Sequence, residues 1–181
     1  LMSRGPDHTA GRGARLKLED YLDPNGNIVL PSDVTITKFL EHNIAELGEL
    51  ASYRYLDFEH DVAGRPIELT WRQLGVKLRA VGARLQQVTQ RGDRVAILAP
   101  QGVDYVVGFF AAIHAGNIAV PLFAPELPGH AERLDAVLSD ALPTVVLTTS
   151  SAAESVQDFL RKLPRSRRPR SAAGSARTKG S

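Results

Sequence analysis

Cysteine is absent from this 181-residue chain. That excludes disulfides, thiolate metal sites and a cysteine nucleophile, and it accords with a reducing cytoplasm. Other signatures are missing too. The chain has no G-x-S-x-G nucleophile elbow and no H-E-x-x-H zinc helix. Gly11 and Gly13 begin a dinucleotide fingerprint, but no strand precedes them and the third glycine is lacking. Asp23, Asn25 and Asn27 start like a calcium loop. Ile28 then stands where the turn glycine belongs, and Val34 where a bidentate glutamate belongs. Residues 1–15 hold no apolar run long enough for a signal peptide. The most apolar stretch, Val103 to Phe123, contains Asp104, His114, Asn117 and Pro121. Ala115-Gly116-Asn117 reads as a helix stop, so a buried helix and a buried strand are expected there, not a membrane span.

Charge is unevenly placed. The isoelectric point of 9.1 suggests nucleic acid until the cations are located. From Arg161 to Ser181 lie eight basic residues and no acidic one; the whole chain carries +2, which leaves −6 for residues 1–160. An acidic body with a basic end argues for a solvated tail and against a nucleic-acid-binding domain.

Periodicity supplies the elements. Residues 1–15, rich in Gly, Arg and small polar residues, read as a disordered leader. Ile36, Phe39, Leu40, Ile44 and Leu47 form a helical stripe. Tyr53 to Phe58 and Ile67 to Leu69 read as strands joined by a turn over Asp61 to Arg65. Leu74, Leu78, Val81, Leu85 and Val88 make one continuous apolar seam, and Thr70 with Gln73 has capping-box spacing at its start. Apolar runs at Val95 to Leu98, Ile118 to Leu122 and Thr144 to Thr149 alternate with helices beginning near Val103, Leu134 and Ser151. Ser151 and Glu154 form a second capping box. Such alternation predicts an α/β fold: a partial parallel sheet with flanking helices over residues 16–163. Residues 164–181, with no apolar periodicity, read as a basic disordered tail.

Each candidate site has a simpler explanation beside it. Asp57, Glu59, His60 and Asp61 bunch where a hairpin turns, and period-two geometry splits them between faces, so a solvated turn accounts for them. His114, near a helix end, is read as a dipole-stabilised histidine. His130, Glu132, Arg133 and Asp135 follow the loop Pro125 to Gly129 at a strand end, where α/β proteins place ligands; a rigid turn into a charged first helical turn is the simpler reading. The segment from Gly174 to Gly180 has the composition of a phosphate loop, but an Arg/Pro tract stands where its strand should be. No residue is assigned a catalytic, cofactor-binding or metal-binding role.

Three segments in order carry a family resemblance. Leu69-Thr70-Trp71-Arg72-Gln73-Leu74 resembles the first core motif of adenylate-forming enzymes. Ala112-Ile113-His114-Ala115-Gly116-Asn117-Ile118-Ala119-Val120-Pro121-Leu122 is similar to the second, and Gly92 to Leu98 to the strand between them. Tyr53 to Phe58, Pro100 to Tyr105 and Leu122 to Leu134 look more narrowly like fatty acyl-AMP ligases, especially actinobacterial members serving mycolic-acid-type lipids. The similarity covers about Val29 to Arg170.

The resemblance implies the first part of an adenylate-forming N-terminal domain. It implies ATP, Mg2+ and a long-chain fatty acid as reactants, and an acyl carrier protein of a polyketide synthase as acceptor. The family's phosphate loop, later aromatic-and-Glu motif, ribose-binding Asp and carboxy-terminal Lys have no counterpart here. After Pro169-Arg170 the family continues with a hydrophobic strand, whereas this chain has Ser171-Ala172-Ala173-Gly174. The expectation is therefore a fragment that is inert alone, from a truncation, a frameshift or a split gene. Two other classes stay open: an interaction module pairing through an open sheet edge, and nucleic-acid binding through the tail, which would show salt-steep affinity lost on deleting residues 164–181.

Overall fold

The computed structural model describes residues 18–29, 35–58, 61–127 and 129–173. The chain divides into two units, residues 1–39 and 40–181. The expected leader, residues 1–15, lies outside the described residues.

In the first unit a 3-10 turn, Leu18–Tyr21, leads to an isolated antiparallel bridge between Leu22 and Ile28. The Asp23 carboxylate closes the intervening turn on itself. It accepts from the Asn25 and Asn27 backbone N–H groups (both 2.8 Å) and from the Asn27 side chain (3.1 Å). Those bonds, the Asn27 side chain first, hold its carboxyl below the usual range. Helix α1 (Ile36–Glu46) opens on Thr35, whose hydroxyl accepts from the Lys38 N–H at 3.2 Å.

The second unit takes in the rest of α1 from Leu40 onward and continues with an antiparallel pair, β1 (Ala51–Asp57) and β2 (Arg65–Thr70), in which Tyr53 faces Leu69 and Tyr55 faces Ile67. The chain then enters α2 (Trp71–Gln86) through the capping box expected from sequence. Gln73 N–H donates to Thr70 Oγ1 (3.2 Å), and Thr70 N–H donates to Gln73 Oε1 (2.9 Å). Leu74, Leu78 and Leu85 of the seam are buried; Val88 is exposed because the helix has ended before it. Gly75 is required by close approach: a Cβ there would lie 2.9 Å from Ile44 Cγ2.

Strand and helix alternate thereafter: β3 (Arg94–Ile97), α3 (Val103–His114), β4 (Ile118–Pro121), α4 (His130–Ala141), β5 (Val145–Thr148), α5 (Ala153–Lys162) and β6 (Arg170–Ala173). Helix α3 stops where Gly116 adopts a left-handed φ of 87°. The four strands are parallel in the order β4-β3-β5-β6. Val95, Val145 and Leu147 pack with Leu85 of α2 and Ala112 of α3. Ala96, Leu98 and Val146 pack on the other face with Leu134 and Leu138 of α4 and Val156, Phe159 and Leu160 of α5. Helices therefore cover both faces, which is why the β3 and β5 runs are apolar without alternation.

Two expectations fail. Residues 165–167 form a 3-10 turn and 170–173 a strand paired with β5 through Val145↔Arg170 to Thr148↔Ala173, so the tail is ordered that far; residues 174–181 lie outside the described residues. Its cations take part. Arg168 Nε donates to the Leu163 carbonyl (2.8 Å) and its terminal nitrogen to that of Arg161, while Arg167 donates to Ser139 Oγ (3.0 Å). Arginine here closes the end of α5, where carbonyls lack helical partners. The second capping box is also absent. Helix α5 has Ala152 at its N-cap and no side-chain cap bond, and Ser151 Oγ pairs with Thr149 Oγ1 at 3.0 Å.

Candidate functional site

The strand order creates a topological switch. From β3 the chain travels through α3, on one face, to β4; from β5 it leaves through α5, on the opposite face. The loops after β3 and β5 consequently part, and a crevice opens outside their carboxyl ends, the place where open α/β sheets bind ligands. A cavity of about 90 Å³ lies there. Ala99 ends the β3 side, and Thr148, Thr149 and Ser150 the β5 side. Lys77 of α2 and Asp104 of the first turn of α3 line it as well, over a floor including Ile97, Val107 and Leu147. Thr148 Oγ1 is buried and has no hydrogen-bond partner among the described residues.

Sequence reasoning did not single out this crevice. The run Thr148-Thr149-Ser150-Ser151 at a strand end was its signal, but only the strand order shows that Thr148 and Ala99 share one opening.

The residues that were singled out fall elsewhere. His114 Nε2 lies 2.8 Å from Glu41 Oε1, and Arg79 donates to the other Glu41 oxygen at 2.7 Å, tying α1, α2 and α3 together. Hydrogen bonding from Arg79, and then from His114, holds the Glu41 carboxyl below its ordinary value. Asp57 pairs with Arg65 at 3.3 Å and Asp61 accepts from Ala63 N–H at 2.9 Å; Glu59 and His60 lie outside the described residues. Gly11, Gly13 and the segment from Gly174 to Gly180 also lie outside them.

The charged group after the Pro125 loop is partly structural. The His130 ring meets Phe123 edge-on, with centroids 4.5 Å apart, and its Nδ1 is 3.2 Å from the Ala124 carbonyl. Arg133 stacks over Phe123 at 5.4 Å. Asp135 Oδ1 sits 3.8 Å from Arg167, and Glu132 is exposed in the first turn of α4. Pro128 of that loop lies outside the described residues.

A nucleotide does not fit what is assembled here. Ligand sites for molecules of that size occupy roughly 300–1,000 Å³, several times the crevice volume. Among the described residues no three His, Asp or Glu side chains gather to hold a metal ion.

Comparison with known proteins decides the family. A model of the AMP-binding enzymes matches residues 48–178. The chain belongs to the AMP-binding enzyme family. This AMP-binding family member is 51% identical over 146 residues to the long-chain-fatty-acid–AMP ligase of Mycolicibacterium smegmatis, covering 81% of this chain and 23% of the relative. It is 46% identical over 146 residues to the same-named ligase of Mycobacterium marinum, with the same coverage. The match lies in the amino-terminal part of these ligases, and the chain spans about a quarter of their length. A crystal structure of a fatty acyl-adenylate ligase from L. pneumophila, in complex with acyl adenylate and pyrophosphate, superposes with a TM-score of 0.63. That similarity, at 22% identity, covers 76% of this chain and 22% of that one, and it establishes the fold alone. Among the described residues no helix is long and apolar enough to cross a membrane.

Proposed function

We propose that this chain forms the amino-terminal α/β part of a long-chain fatty acid–AMP ligase. The reaction so assigned uses ATP and Mg2+: the fatty carboxylate attacks the α-phosphate, pyrophosphate leaves, and the acyl-adenylate passes its acyl group to an acyl carrier protein of a polyketide synthase. A cytoplasmic location follows from those reactants. The observation carrying the reading is the 51% identity to the M. smegmatis ligase over 146 residues.

Residues 1–181 contribute scaffold in this reading and do not catalyse alone. Two observations support that part: the switch-point crevice is too small for a nucleotide, and stabilising a transferring phosphoryl group requires converging donors and a metal.

ATP–pyrophosphate exchange with a long-chain fatty acid tests both halves. The 181-residue chain alone should give only background. Substituted for the matching stretch of the M. smegmatis ligase, it should restore exchange. A folded hybrid that fails to exchange defeats the assignment; exchange by the isolated chain defeats the claim that it is scaffold.

A further inference from the structure

The end of the parallel sheet at which its strands begin is opposite the switch-point crevice and gathers exposed side chains of two kinds. One row of backbone hydrogen bonds crosses it. Ile118 N–H donates to the Asp93 carbonyl, Thr144 N–H to that of Arg94, and Arg170 N–H to that of Thr144, each at 2.9 Å. Large apolar side chains stand open along this row: Ile118 is 53% exposed, Leu142, two residues before Thr144, 59%, and Val88 40%. The Asn117 amide holds Thr89 and Gln90, and so the segment following Val88, beside Ile118. Cations stand among them. Arg94 is in register with Ile118, which puts the two side chains on one face of the sheet. Arg91 runs along Gly116, its Cγ 3.5 Å from where a Cβ would lie, and Arg170 opens β6. All three arginines are exposed, and none makes an ion pair among the described residues. Asp140, at the end of α4, and Asp93, whose carboxylate accepts from Gln90 N–H at 2.9 Å, offset them in part.

Leu142 matters most. It is the only non-glycine residue of positive φ among the described residues, at the end of a helix, where glycine commonly takes the left-handed turn. Its backbone conformation and its exposed side chain both count against folding. The stability of this chain therefore explains neither, and strain held at one residue points to a use for it.

We propose that this end of the sheet docks on an anionic lipid bilayer, its arginines at the phosphate headgroups and Leu142, Ile118 and Val88 at the boundary with the acyl chains. The mixture of side chains selects the partner. Arginine pairs with lipid phosphate, and leucine and isoleucine gain by leaving water for an apolar interior. A nucleic-acid backbone would answer the cations alone. The acidic body of the chain is repelled by such a surface, which turns the basic end toward it. The docking face is separate from the crevice and does not depend on the adenylation reading.

The test is co-sedimentation of the 181-residue chain with unilamellar vesicles of equal parts phosphatidylcholine and phosphatidylglycerol. Binding should weaken as ionic strength rises and be absent with phosphatidylcholine alone. An arginine near an anionic surface contributes about fivefold in affinity, so Arg91→Gln combined with Arg94→Gln should weaken binding by roughly 25-fold. Leu142→Gly should weaken it by about fivefold, the share of a partly inserted leucine, while its Tm rises because the backbone strain is gone. A chain that is more stable cannot bind less well through unfolding, so this variant isolates the contact. No binding to the anionic vesicles overturns the proposal. Binding that survives the double arginine variant places the contact elsewhere and overturns it too. Binding unchanged in Leu142→Gly, or tighter binding to random-sequence duplex DNA than to the vesicles, overturns the bilayer as partner. None of these results touches the exchange assay, so the two readings fail separately.

Discussion

Asn117 is the one buried polar or charged residue in the described core, 7% exposed. Its replacement tests how the sheet edge is anchored. It stands immediately before β4, and its side-chain amide donates to Thr89 Oγ1 and to the Gln90 carbonyl, both at 3.0 Å. The Thr89 hydroxyl has one proton, and the Leu85 carbonyl at 2.8 Å takes it in preference to Asn117 Oδ1 at 3.3 Å. Asn117 is thus chiefly a donor that ties the entry of β4 to the end of α2. Asn117→Ala removes two hydrogen bonds worth about 1 kcal/mol each, so a loss of about 2 kcal/mol is expected. In urea, with a slope of roughly 2 kcal/mol/M for a chain of this size, the midpoint should fall by about 1 M. Asn117→Asp is the sharper test. It keeps the shape but turns the donor into an oxygen facing the Gln90 carbonyl, and should cost about 3 kcal/mol at neutral pH. Burial and the facing acceptors raise the folded pKa of the new carboxyl. The folded state then holds its proton longer, so the penalty is small below the unfolded value of about 4 and grows as pH rises through the folded value. An Ala variant within about 0.5 kcal/mol of the parent, or an Asp variant whose deficit does not change with pH, refutes the anchoring argument.

Thr70→Ala should cost about 1 kcal/mol in urea unfolding, because it opens the reciprocal cap of α2; Ser151→Ala should cost only a few tenths, because Ser151 caps nothing. Glu41 has its carboxyl pKa lowered by Arg79 and His114, so its contribution is present above the ordinary value of 4.5 and fades as pH falls through the lower folded value. Glu41→Gln should flatten that acid limb, by at most about 1 kcal/mol because the pair is well exposed. Leu142, exposed and left-handed at φ 44° after α4, should gain about 0.5–1 kcal/mol when replaced by Gly, seen as a raised Tm in calorimetry.

The sequence disclosed what is decided within a few residues. The Thr70/Gln73 cap and the Leu74-Leu78-Leu85 seam are local, since helix hydrogen bonds and faces repeat every three to four positions. The β3 and β5 runs were legible because burial on both faces removes alternation. Arg170–Ala173 gave no such signal. It becomes a strand because β5 offers its backbone a partner, and Ala and Ser carry little strand preference of their own. The Ser151/Glu154 box had the right spacing, but the helix starts at Ala153 and the hydroxyl is taken by Thr149.

By itself, the order of residues determined the class of fold, the alternation of strands and helices, and the family to which the chain is similar, because each rests on periodicities and motifs written along one dimension. Only the tertiary structure decided that β3 and β5 are neighbours, that α3 and α5 depart on opposite faces, and that Lys77, Asp104 and Thr148 border one crevice. Strand order follows from which helix covers which face, and that pairing is settled by contacts between residues far apart in the chain.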